Sequence, residues 1–132
     1  MDRSETYIKM CEKAEEIQTT WEPIDGDYVY RVIGQHKQLL PRVSIVNSRA
    51  YWPKGVQVWL PRQDQLQEML LKPTNTQFDS ILRLLNFFSI FVAVNTNLTS
   101  MEQLWLAFVM KEKYNKVWSG EEWVSESSKV FG

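Results

Sequence analysis

One cysteine, one histidine and five scattered glycines are all that these 132 residues offer to several common chemistries. With Cys11 alone no internal disulfide can form, and a reducing, cytoplasmic setting is the expectation. Cys11 and His36 cannot by themselves assemble the Cys and His sets that hold zinc. Gly26, Gly34, Gly55, Gly120 and Gly132 never cluster, so the chain has no glycine-rich phosphate loop. Long apolar runs are lacking too. The best of them, Ile81 to Val94, has fourteen residues and contains Arg83, Asn86 and Ser89. A membrane crossing takes about twenty apolar residues, so this run is expected to be a buried helix and no membrane partner is expected. The N-terminal MDRSETYIKMCEKAEEIQ is charged throughout and lacks the apolar core of a signal peptide.

Catalytic signals are equally sparse. His36 lies in the polar stretch GQHKQ and reads as a solvated side chain, while Cys11 falls on an apolar helix face and reads as a buried thiol. Asp64 and Glu68 stand one helical turn apart, a spacing common on helix surfaces that does not define a catalytic pair. No metal or cofactor is called for, and the expectation is that the protein is not an enzyme.

What is present is a globular composition. Hydrophobic residues make up 44% and charged residues 23%, enough for a single domain with its own core and too apolar for a disordered chain. No repeat, low-complexity tract or flexible linker interrupts it. Ser4 to Gln18 reads as a helix capped by Ser4, with Tyr7, Ile8, Met10, Cys11, Ala14 and Ile17 on one apolar stripe. Glu5, Glu12, Glu15 and Glu16 face water in that reading, and the block Trp21 to Asp27, with its proline and Asp-Gly, ends the helix.

The segments YVYRVI (28–33), RVSIV (42–46) and VQVWL (56–60) are rich in β-branched and aromatic residues and predict strands. In the last, Val56, Val58 and Leu60 alternate against Gln57 and Trp59; the WPKG at 52–55 suits a tight turn. Three helices should cover that sheet. The first runs from Arg62 to Leu71 with Leu66, Met69 and Leu70 on one face. The second follows a capping-box spacing, Thr74 to Gln77, and carries Phe78, Ile81, Leu82, Leu85, Phe88 and Val92 inward. After the loop Asn95 to Leu98, Thr99-Ser-Met-Glu102 repeats the capping spacing and opens the third. Met101, Leu104, Trp105 and Phe108 share a face of that helix, which should reach Trp118 and stop at Gly120. Trp123 and Val124 then fold back over Trp118 or the sheet as an apolar latch, an exposed aromatic pair for sugars or nucleobases being the alternative. The expected fold is therefore α+β: an N-terminal helix, a small antiparallel three-stranded sheet and three C-terminal helices.

The net charge of −1 hides a strong asymmetry. Residues 1–27 hold eight acids and three bases, whereas residues 28–63 hold six bases and no acid. Those bases are Arg31, Lys37, Arg42, Arg49, Lys54 and Arg62, interleaved with aromatic residues that include Tyr51 and Trp52. Lys and Arg neutralise phosphates while aromatic rings stack on unpaired bases, so this stretch is the candidate nucleic-acid site. Simple pairing of the same bases with acids of the first helix is the plainer reading.

The motifs WLPRQDQLQEML (59–70) and SMEQLWLAFVMKEKYNKVWSGEEWV (100–124), with Trp21-x-Pro-x-x-Gly-Asp27 upstream, resemble a family of small proteins recurrent in bacteriophages and prophage regions of Gram-positive bacteria. The resemblance covers about two thirds of the chain. It leaves Val32 to Lys54, most of the basic stretch, unmatched. It implies an origin and no catalytic residue or cofactor. The expected role is a phage-related interaction module with a protein partner or with itself, nucleic-acid binding through residues 28–63 being the alternative.

Overall fold

The computed structural model describes residues 1–31, 42–45, 57–71 and 77–126, with the backbone alone for 42–45 and 77–80. The chain forms two compact units, Arg3–Arg62 with Met1, and Gln63–Gly132 with Asp2.

The first unit opens with α1 (Glu5–Lys13) and α2 (Glu15–Thr20). Ser4 caps α1 as expected: its hydroxyl accepts from the Tyr7 N–H at 3.2 Å. The single helix expected over 4–18 is corrected to two, because Ala14 leaves helical geometry at φ −83°, ψ 72°. The apolar stripe survives the break, since Tyr7, Met10, Cys11, Ala14 and Ile17 are all buried.

Strand β1 (Tyr28–Arg31) pairs antiparallel with β2 (Arg42–Ile45) on one side and with β3 (Gln57–Leu60) on the other. Tyr28 stands opposite Ile45 and Leu60, and Arg31 opposite Arg42 and Gln57. The alternation expected for β3 needs correction. Trp59 is buried and Val58 is only half-buried, because the Trp59 ring stacks on Trp21 with centroids 5.8 Å apart and planes 8° from parallel. Gln18 completes the arrangement. Its carboxamide accepts from the Trp59 N–H at 2.9 Å and donates to the Trp59 C=O at 2.9 Å, which occupies the main chain of an edge strand as a neighbouring strand would. The Tyr7 hydroxyl donates to the Pro61 C=O at 2.6 Å, which ties α1 to the end of β3.

The second unit contains α3 (Gln63–Leu70), α4 (Gln77–Val94), α5 (Met101–Tyr114) and a hairpin of β4 (Lys116–Trp118) and β5 (Trp123–Ser125). Helix α5 is its centre: Gln103 and every residue from Trp105 to Met110 are buried, and both α3 and α4 pack on it. Ser100 caps α5, accepting from the Gln103 N–H at 3.1 Å, while Gln103 Oε1 accepts from the Thr99 N–H at 3.1 Å. The reciprocal device is thus built one residue later than its expected Thr99–Glu102 form. Glu102 instead accepts from the Asp2 N–H at 3.1 Å, and the Asp2 carboxylate accepts from Gln103 Nε2 at 2.9 Å.

Two further expectations are corrected here. Helix α5 stops at Tyr114, not near Trp118, because Asn115 adopts the left-handed conformation at φ 55°, ψ 42°. The aromatic and β-branched residues beyond it pair as strands, and Gly120, at φ +103°, serves the Ser119–Glu122 turn and not a helix end. The expectation of one sheet therefore gives way to two separate antiparallel sheets within an α+β fold. Trp123 does fold back on Trp118, its cross-strand neighbour, with ring centroids 5.0 Å apart. The capping spacing at Thr74, the WPKG turn and His36 lie outside the described residues.

Candidate interaction surface

The basic stretch divides unevenly. Arg31 is buried at 9% exposure, which leaves little of its guanidinium for a phosphate, and Arg42 stands opposite it in the ladder. Arg62 is held by the buried Asp27, 3.7 Å from Oδ1, and donates to the Gly26 C=O at 3.1 Å. Trp59, three positions before Arg62 in the sequence, is committed to the Trp21 stack. Lys37, Arg49, Lys54, Tyr51 and Trp52 lie outside the described residues. Asp27 explains the Trp21-x-Pro-x-x-Gly-Asp27 motif. One of its oxygens accepts from the Trp21 indole N–H at 2.8 Å and from the Ile24 N–H at 3.1 Å, so the motif closes a loop.

The surface that stands out is on α4. Its contact with α5 is aromatic: Phe88 stacks on Trp105 with centroids 3.8 Å apart, and Phe91 tilts against Phe108 at 5.3 Å. Lys111 places its ammonium 5.7 Å from the Phe91 ring centre. These contacts use one side of the helix. Ile81, Leu82, Leu85, Phe87, Ile90 and Val94 remain between 41% and 74% exposed. Six such side chains present on the order of 600 Å² of apolar surface, at the upper end for the largest patch on an ordinary monomer.

The sequence reading of Ile81–Val94 as a buried helix is corrected by these exposures. Ile81, Leu82 and Leu85, assigned inward, face solvent, and the buried pair is Phe88 and Phe91. The signal was present in the sequence. Ten of the eighteen residues of α4, spread around its whole circumference, are Ile, Leu, Val or Phe outside position 78. A single neighbouring helix covers one side only, so an all-round apolar helix needs further cover. No helix among the described residues is long and apolar enough to cross a membrane.

Among the described residues no group of three or more His, Cys, Asp or Glu could hold a metal ion. No protein-family model, curated protein or solved structure matches the chain.

Proposed function

We propose that this protein is a non-enzymatic interaction module that binds a protein partner through α4. The observation that carries the reading is the exposed apolar surface of that helix, with six large side chains at least 41% exposed. Exposed apolar area at the upper end of the range for monomers is often functional. A phage or prophage origin belongs to the same proposal and rests on the motifs at 59–70 and 100–124. The test is site-specific photo-crosslinking in cells, with a benzophenone side chain placed at Leu82 or at Ile90. Adducts with a polypeptide from those positions, and none from Glu15 on the exposed side of α2, are expected. Absence of any polypeptide adduct at both positions would refute the reading.

A second reading keeps nucleic acid as the partner, on the strength of six bases and no acid between residues 28 and 63. Fluorescence anisotropy of labelled single- and double-stranded oligonucleotides decides it. Binding that weakens with salt, with a slope of about −0.7 to −0.9 per neutralised phosphate, supports that reading. No binding at low salt removes it.

A further inference from the structure

Helices α1 and α2 meet at a break that their own residues do not require. The segment Glu5–Thr20 contains no proline and no glycine, and the residue at the break, Ala14, has the highest helix propensity of all. The buried residues Tyr7, Met10, Cys11, Ala14 and Ile17 keep their three- and four-residue steps across the break, as one continuous helix would need. Ala14 also starts α2 without a side-chain cap, where Ser, Thr, Asp or Asn would supply one. Lys13 and Glu15 suit the helix ends that the break creates, but exposed charges there contribute less than a cap. Breaks without proline or glycine arise where a side chain enters the ladder of main-chain bonds.

That side chain is Gln18. In a continuous helix the Cys11 C=O would take the Glu15 N–H. Here it accepts from the Ala14 N–H at 3.1 Å and from Gln18 Nε2 at 3.1 Å. The same carboxamide nitrogen also donates to the Trp59 C=O, and Oε1 accepts from the Trp59 N–H, both at 2.9 Å. Both donors of Gln18 are thereby used, one on α1 and one on β3. The two bonds to Trp59 anchor the carboxamide where it meets Cys11.

We infer that Gln18 is a clasp that holds residues 5–20 as two helices, and that the segment becomes one continuous helix when the clasp leaves Trp59. The bend and the closure of the β3 edge are one event. In one state Gln18 covers the Trp59 main chain and the helix is broken at Ala14. In the other the Trp59 main chain is open and the Glu15 N–H bonds the Cys11 C=O. A change at the edge of β3 is in this way passed to the direction of α1 against α2.

Amide hydrogen exchange of the full chain, read residue by residue by NMR, tests this. Gln18→Ala lowers the protection of the Trp59 amide about 10-fold or more and raises that of the Glu15 amide about 10-fold or more. Opposite movements separate a clasp from plain destabilisation, which lowers both. The Ala14 Cα chemical shift moves into the helical range in the same variant. Thr19→Ala, on the exposed side of α2, leaves all three readings unchanged. Near-UV circular dichroism of the Trp21–Trp59 stack checks that each variant is folded. Should Gln18→Ala not fold, Gln18→Glu gives the same reading at Glu15, since it keeps an acceptor for the Trp59 N–H and loses both donors. A Glu15 amide no better protected in the folded variant, or an Ala14 shift that stays outside the helical range, overturns the inference. So does a wild-type Glu15 amide protected as strongly as that of Glu12 inside α1, whatever the variants do.

Discussion

Replacing Asp27 tests whether the loop from Trp21 to Asp27 is held by one buried carboxylate. Asp27 is 1% exposed, and its Oδ2 accepts from both the Trp21 indole and the Ile24 main chain. Its other oxygen faces Arg62, whose side chain is 33% exposed. Asp27→Ala leaves two N–H groups without their acceptor, one of them on the buried Trp21. Hydrogen bonds to a charged group contribute about 1.5–3 kcal/mol each, but two that share one oxygen are not additive, so a loss of about 3 kcal/mol is expected. The Arg62 contact adds little, since that guanidinium is partly hydrated and keeps its bond to Gly26.

Asp27→Asn is the informative comparison. Its carbonyl oxygen can still accept from Trp21 and Ile24, so the loss expected from the Arg62 contact is about 0.5–1 kcal/mol. Urea unfolding followed by tryptophan fluorescence measures both variants. A double-mutant cycle of Asp27→Ala with Trp21→Phe should give a coupling of about 1–2 kcal/mol. If Asp27→Ala costs less than about 1 kcal/mol, or if Asn and Ala behave alike, the carboxylate does not hold the loop as described.

Three further outcomes are expected. Gln18→Ala withdraws both bonds from the Trp59 main chain and should cost about 2 kcal/mol, with faster hydrogen exchange at the Trp59 amide; an amide as protected as before would count against the edge-strand role. Phe88→Ala removes the ring stacked on Trp105 and should destabilise by about 3–5 kcal/mol in thermal unfolding, whereas Phe87→Ala, its exposed neighbour, should change stability by less than about 0.5 kcal/mol. Gly120→Ala should cost about 1 kcal/mol although nothing lies within 4 Å of the added carbon, because φ is +103°, and Asn115→Gly, at φ 55°, should be close to neutral in the same chemical unfolding assay.

Local chemistry made much of this protein legible from its residues. Ser4 caps α1, the buried faces of α1 and α2 follow the three- and four-residue steps of Tyr7 to Ile17, and Cys11 is a buried thiol. The β-branched and aromatic segments became β1, β2 and β3. These outcomes depend on groups within a turn or a few residues of one another. The burial of Trp59 depends on distant groups. Trp59 is turned from a solvent-facing alternation by a ring 38 positions earlier, and its main chain is met by Gln18. The apolar pattern of α4 likewise records that the helix needs cover, but not how much of it α5 supplies. Periodicity names the sides of a helix that avoid water; only the tertiary structure decided which of them α5 covers and which were left exposed, because burial is set by the number and placement of neighbours.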